Sequence, residues 1–141
     1  MELLKILLKE YWQVSPKLIK AKANYEKQIK EEKVGQIIGE RGFQYQNKFK
    51  YVYDSSATWN LFPGRSFALA CWVANKEIDE KFISQFNKAL KFGVNNIEKS
   101  IKSLAATYSH CINPTDYLNN KISYHLDEEK IKGMELFLKK I

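Results

Sequence analysis

The chain has 141 residues, a length that fits one domain with one hydrophobic core. It is 45% hydrophobic and 28% charged, which excludes a disordered chain, and no apolar run is long enough to span a bilayer. The net charge of +7 is spread evenly along the chain, which favours a solvated surface over a nucleic-acid-binding stripe. Two isolated cysteines and the lack of a leader pattern predict a soluble, cytoplasmic protein with no nucleic-acid or membrane partner.

The first half of the chain predicts helices alternating with short strands. Apolar residues at helical spacing predict a helix over about residues 2–13, and a second helix is expected from Asn24 through Ile29. The first helix has no capping residue, so we expect that its natural beginning is missing. Three apolar runs are predicted strands: 34–39, 50–53 and 67–73. This order predicts an α/β fold with a small mixed sheet that has parallel members.

The second half predicts helices only. Asp79 is a predicted cap of a long helix, whose apolar stripe steps by three and four residues from Ile83 to Tyr108. Asn113 and Pro114 predict the start of a short helix. Asp127 is the predicted cap of the last helix, with acidic residues complementing its dipole at Glu128 and Glu129. Three strands cannot cover so much apolar helical surface, which is a second indication that part of the structure is missing.

The chain contains none of the self-contained catalytic motifs. Phosphate-binding glycine loops, zinc-binding H-E-x-x-H and the G-x-S-x-G nucleophile elbow are all absent from the sequence. His110 and Cys111 are adjacent, but no other residue stands at metal-ligand spacing from them, so we expect no metal. We also expect no cofactor, and no residue is a convincing general base, so the catalytic residues are unknown.

Three loops are candidate sites. Gly39-Glu40-Arg41-Gly42 follows a predicted strand, where ligands of α/β sheets usually bind, and Arg41 could pair with a carboxylate. Residues 54–58 are better explained as the cap of a short helix through Trp59. The turn Pro63-Gly64-Arg65-Ser66 leads into an apolar run, so Arg65 either lies in water or faces a ligand, and composition does not decide between them.

Four segments in sequence order resemble the second half of chorismate dehydratase, from the futalosine route to menaquinone. They are "LLKILLKEYW", "YEKQIKEEKVGQIIGERGF", "YVYDSSATWNLFPGRSFALACWVANKE" and "YLNNKISYHLDEEKIKGMELFLKKI". The closing segment is the most specific, with Tyr117-Leu118, Ile122, Tyr124 and Gly133-Met134-Glu135-Leu136-Phe137 in the family pattern. The resemblance covers nearly the whole chain but only part of the family's length.

The resemblance implies a two-lobed fold of the periplasmic-binding-protein type II class, used as an enzyme. Residues 1–72 would form most of the second lobe, and residues 73–141 would be helices returning to a first lobe that this chain lacks. The implied reaction eliminates water from chorismate, a small anionic substrate, to give 3-[(1-carboxyvinyl)oxy]benzoate. The residues implied to face the substrate are Gly39, Glu40, Arg41 and Arg65, with one arginine as the carboxylate partner.

Two departures from the family leave alternatives open. The family's Asp in the "IGD" turn is Glu40 here, and an apolar Leu-Pro pair is replaced by Arg65-Ser66. The chain is therefore either a fragment or shortened dehydratase, or a degenerate, binding-only relative completed by a separately encoded first lobe. A basic helical nucleic-acid-binding protein is the alternative from another class, and it would bind DNA or RNA in a salt-dependent way.

Overall fold

The structure is a computed structural model and describes residues 1–39, 41–104 and 113–141. The chain divides into two compact units, one of Met1–Ala68 with Glu128–Ile141 and one of Leu69–Asp127. The predicted segments, 1–72 and 73–141, refer to the two lobes of a complete protein. These units do not test that division, which stays a prediction. Within the described residues, no helix is both long and apolar enough to cross a membrane.

The described residues form helices joined by irregular segments. The first helix continues into a π-helical turn, Leu7–Tyr11, which confirms the predicted helix at the start of the chain. Tyr25–Gln28 is a single 3-10 turn where the second helix was predicted. The α-helices are α1 Glu2–Ile6, α2 Arg41–Tyr45, α3 Ser55–Leu61, α4 Glu80–Asn95, α5 Ile97–Leu104, α6 Pro114–Asp116 and α7 Glu128–Lys140, and a π-helical turn, Tyr117–Lys121, follows α6.

Three of the predicted helix caps are confirmed. The Asp54 carboxylate accepts hydrogen bonds from the backbone N–H of Ser56 and Ala57, at 2.7 and 2.9 Å, so residues 54–58 do start a helix. The Asp79 carboxylate accepts from the first turn of α4, and the Asn113 side chain accepts from the first turn of α6. Each of these side chains satisfies N–H groups that have no partner within the helix.

The predicted α/β fold is wrong for the described residues, because none of them lies in a strand. The apolar runs predicted as strands, 34–39, 50–53 and 67–73, have no ladder partner there. A strand needs a neighbour that pairs with its backbone N–H and C=O groups, and an apolar run alone does not supply one. The small mixed sheet and the periplasmic-binding-protein type II architecture are therefore not supported.

In the unit of Leu69–Asp127, the predicted long helix is divided in two. Asn96 separates α4 from α5 with non-helical backbone angles, φ −125° and ψ 30°. Its side-chain amide donates to the Phe92 carbonyl oxygen at 2.8 Å, which satisfies one acceptor at the end of α4. Tyr108, the last residue of the predicted stripe, lies outside the described residues. In the middle of α4, the Phe86 ring packs edge-to-face on Trp72, with ring centroids 5.3 Å apart.

The core of the other unit, Met1–Ala68 with Glu128–Ile141, is built around aromatic rings. Trp59 of α3 is fully buried, as is Leu7 at the end of the first helix. The Trp59 ring meets Phe67 and Phe137 edge-to-face, with centroid distances of 5.7 and 5.9 Å, and those two rings are 5.3 Å apart. Such edge-to-face contacts stabilise the fold beyond what the burial of the apolar rings contributes. The three rings join α3, the segment after the Arg65 turn and α7.

Two further contacts hold α7 in this unit. Gly133 is buried with its Cα against the Ser66 carbonyl, so that there is no room for a Cβ at this position. At the far end of α7, the Lys140 ammonium donates to the Glu10 carboxylate at 2.5 Å, and both side chains are partly buried. The helix is therefore fixed at its middle by close packing and at its end by an ion pair.

The close packing of Gly133 in α7 against the Ser66 carbonyl predicts that two glycine-to-alanine changes affect the stability of the protein in opposite ways. In Gly133→Ala the new methyl group collides with the Ser66 carbonyl, and overpacking of this kind costs about 1–3 kcal/mol. That cost exceeds the gain of up to about 1 kcal/mol in helix propensity. Gly42→Ala in α2 adds a methyl group with no atom within 4 Å, so only the gain applies. Urea unfolding followed by circular dichroism should show a lower midpoint for Gly133→Ala and an unchanged or higher one for Gly42→Ala. A Gly133→Ala protein as stable as the wild type would contradict the packing of α7.

Candidate functional site

The predicted Gly39–Arg41 site is a turn that starts α2. Gly39 has φ +72°, in the left-handed region that favours glycine, and its carbonyl oxygen accepts from the Gly42 N–H at 2.9 Å. Glu40, the second predicted site residue, lies outside the described residues. Arg41 is the first residue of α2, so the turn fixes where its side chain leaves the backbone.

The Arg41 guanidinium already has a carboxylate partner within the protein. It forms an ion pair with the Glu26 carboxylate, and it lies over the Tyr25 ring, 5.8 Å from the centroid. The Tyr25 hydroxyl in turn donates to the Gln36 carbonyl oxygen. These contacts join the 3-10 turn, the irregular segment before Gly39 and α2.

The Arg41–Glu26 pair is structural because the two side chains differ sharply in burial. The Glu26 side chain is 1% exposed and the Arg41 side chain 53% exposed. Glu26 Oε1 makes no hydrogen bond of regular geometry in the described part of the chain, so Arg41 is its compensating charge. Removing a cation from a buried carboxylate is costly. A ligand that drew Arg41 away would leave Glu26 uncompensated.

Arg65 also has a carboxylate partner, but this pair is open to solvent. Arg65 follows Gly64, whose φ of +66° lets the chain turn sharply before the apolar run. The guanidinium Nη1 donates to Glu129 Oε2 at 2.8 Å, across 64 residues of sequence. The two side chains are 43% and 54% exposed. The sequence predicted that Arg65 contacts either water or a ligand. In the structure it contacts a carboxylate of α7.

Glu129 is held by two cations. Its second oxygen, Oε1, accepts from the Lys132 ammonium at 3.0 Å, one turn further along α7. The hydrogen bond from Lys132, and then the one from Arg65, hold the pKa of Glu129 below its ordinary value. Because that pKa is lowered on folding, the contacts stay intact above the ordinary value and are lost only as the pH falls through the lowered one.

The two arginines therefore differ in their capacity to bind a ligand. They have separate partners, Glu26 and Glu129, and share none. Arg41 must stay with a buried carboxylate, whereas Arg65 can leave an exposed one at little cost because exposed pairs are weak. If Arg65 leaves, Glu129 still has Lys132. Of the predicted site residues that the structure describes, Arg65 is the cation whose ion pair is open to solvent on both sides.

A cavity of about 200 Å³ lies elsewhere in the same unit, beside the first helix. Its lining includes Lys5 and Lys9 together with apolar residues of the following segment, and it contains neither arginine. Lys5 is paired with Glu2 at 2.8 Å, one turn away. The cavity is a second place with positive charge, but it contains none of the predicted site residues.

Sequence reasoning missed the residues that decide between the two arginines. Glu129 was predicted only to complement the dipole of the last helix, and Glu26 and Lys132 were given no part in a site. Nothing local in the sequence pairs Arg65 with a residue 64 positions away. The one available signal was the closing motif that begins at Gly133, because a glycine inside a helical pattern often marks a close approach of another backbone.

The chain belongs to the menaquinone biosynthesis family, whose model matches residues 1–141. The match covers the turn of Arg65, the α7 carboxylate and the aromatic residues that hold them together. It confirms the process that the sequence resemblance indicated and does not name a reaction within it. No curated protein and no solved structure matches the chain.

The different burial of the two ion pairs predicts different losses of stability. Arg41→Ala leaves the Glu26 carboxylate buried without its cation, and we expect a cost of about 1–3 kcal/mol in the free energy of unfolding. Adding Glu26→Gln to Arg41→Ala should recover part of that loss, because the uncompensated charge is gone. Arg65→Ala should change stability little, since its pair is exposed. Equal losses for the two arginine variants in urea unfolding would contradict the assignment of Arg41 to structure.

Proposed function

We propose that this member of the menaquinone biosynthesis family takes part in the dehydration of chorismate. The proposal is supported by the match to that family, by the motifs that resemble chorismate dehydratase and by an arginine that can exchange its partner. In the reaction a ring proton and the ring hydroxyl leave as water, and the product is 3-[(1-carboxyvinyl)oxy]benzoate. Aromatisation of the ring supplies the driving force, so the protein's task is to recognise and place a dianion.

Arg65 is the proposed carboxylate partner of the substrate. A guanidinium presents N–H groups in a planar fork that matches the two oxygens of a carboxylate, and such charge-assisted bonds are stronger than neutral ones. The side chain is 43% exposed, so a ligand can reach it without any change in the core. The proposal assigns no general base, because no described side chain has the surroundings of one.

The exposed apolar surface supports a second part of the proposal, that the active protein contains another, separately encoded polypeptide. In the described residues only Ile6, Leu7 and Trp59 are buried hydrophobic side chains. Many large hydrophobic side chains in both units are exposed instead, among them Val34, Trp72 and Val73. Exposed apolar surface of this kind marks sites of interaction with another protein. This polypeptide would take the role that the sequence resemblance gives to a first lobe.

Helix α4 contributes to this exposed apolar surface, because it is amphipathic and has no buried residue. Phe82, Ile83 and Leu90 lie exposed on the apolar side of this helix. Most of the stability of a helix in a protein comes from packing its apolar face. In α4, Trp72 packs on Phe86, but the three residues named above stay exposed. The second polypeptide is proposed to cover this face.

Chorismate binding tests the role of Arg65. Titration calorimetry of the chain with chorismate should give a measurable affinity, and Arg65→Ala should weaken it by about tenfold or more, because hydrogen bonds to charged groups are the strong ones. Arg65→Lys should lie between them, since the charge stays and the fork is lost. An affinity unchanged in Arg65→Ala would contradict the proposed role.

Turnover tests the need for a second polypeptide. The chain alone, mixed with chorismate, should show little or no loss of the cyclohexadiene absorbance. The same assay after co-expression with the polypeptides encoded beside it should show that loss, with the benzoate product detected by mass spectrometry. Robust turnover by the chain alone would contradict the need for a partner. Binding without product under both conditions would instead favour the degenerate, binding-only alternative.

A further inference from the structure

The carboxylate of Glu129 stands where a ligand carboxylate would be expected. Its Oε2 accepts from Arg65 Nη1 at 2.8 Å, a normal length for a guanidinium–carboxylate hydrogen bond. Both partners are about half exposed, so water and small anions reach the contact. An anion that approaches Arg65 therefore has to compete with a carboxylate that the protein itself supplies.

An anion can displace Glu129 from Arg65 at little cost, because Glu129 then still has Lys132 as its partner. Oε1 of Glu129 accepts from Lys132 at 3.0 Å, on the side away from Arg65. The carboxylate lies in the first turn of α7, where the helix dipole also stabilises a negative charge. The lowered pKa of Glu129 agrees with this double support, since Lys132 contributes more to it than Arg65 does. Release of Arg65 thus exposes no unpaired charge.

We propose that Glu129 is an internal competitor for the anion site on Arg65, and that chorismate binds by exchange of carboxylates on this guanidinium. In the bound state one chorismate carboxylate takes Arg65, and Glu129 stays with Lys132. This inference rests on the proposed function, because it needs Arg65 to be the carboxylate partner of the substrate. Glu129 acts through Arg65 and is a specificity-determining residue rather than a catalytic one.

The exchange sets a requirement on the ligand. A small anion with one carboxylate has to displace Glu129 with a single charge of the same kind and gains little. A dianion of the size of chorismate has a second carboxylate, which is also attracted by the net positive charge that Arg65, Lys132 and Glu129 carry together. The site should therefore prefer chorismate over a monocarboxylate such as benzoate.

The test is the chorismate dissociation constant of the full chain and its variants at one fixed ionic strength. Glu129→Gln removes the competitor and should tighten binding by about two- to fivefold, a range typical of exposed pairs. Glu128→Gln is the matched control, because it removes the same charge from the adjacent position of α7. Lys132→Ala should weaken binding, since Glu129 then depends on Arg65 alone, and Lys139→Ala is its control on the same helix.

The outcomes separate the exchange from the proposed function. Tighter binding in Glu129→Gln but not in Glu128→Gln supports the exchange, and the gain should vanish when Arg65→Ala is added. Binding in Glu129→Gln that equals the Glu128→Gln control, or is weaker than it, overturns the exchange while leaving chorismate binding through Arg65 in place. Absence of chorismate binding in the wild type and in every variant, with circular dichroism unchanged, overturns the proposed function itself.

Discussion

The packing of α7 against the Arg65 turn is the constraint on which the candidate site depends. Gly133 lets the helix approach the Ser66 carbonyl, and Phe137 closes the aromatic group around Trp59. This packing places Glu129, one helical turn before Gly133, beside the guanidinium of Arg65. The packing that stabilises this unit and the electrostatics of the site are therefore set by the same short stretch of chain.

The two arginines of the sequence illustrate how burial decides what an ion pair can do. Arg41 and Arg65 each face a carboxylate, and by charge alone they are equivalent. The Glu26 side chain is almost fully buried, so its cation must remain, whereas Glu129 is solvated and has a second cation. A fixed pair supports the fold, and an exchangeable pair can serve as a binding site. The chain belongs to the menaquinone biosynthesis family, and the proposed ligand of the exchangeable pair is an anion of that process.

The parts of the fold that could be predicted from the sequence are those that depend on neighbours along the chain. Asp54, Asp79 and Asn113 were predicted caps, and they cap, because the groups that they satisfy lie two or three residues away. The strands were wrong, since an apolar run such as 67–73 becomes a strand only beside a partner that its own sequence does not specify. The contacts of the candidate site could be predicted only in part for the same reason. Arg65 was visible as a cation on a turn, while Glu129 is brought to it by tertiary packing.

The most direct test of Arg65 as the anion-binding residue is the arginine side-chain Nε–Hε spectrum of the chain during titration with chorismate. The sequence contains only two arginines, so only two such signals exist and each variant assigns one of them. The signal of Arg65 should move with chorismate concentration until the site is saturated, and the signal of Arg41 should stay in place. Movement of the Arg41 signal alone, or of neither signal while chorismate binds, would contradict the account.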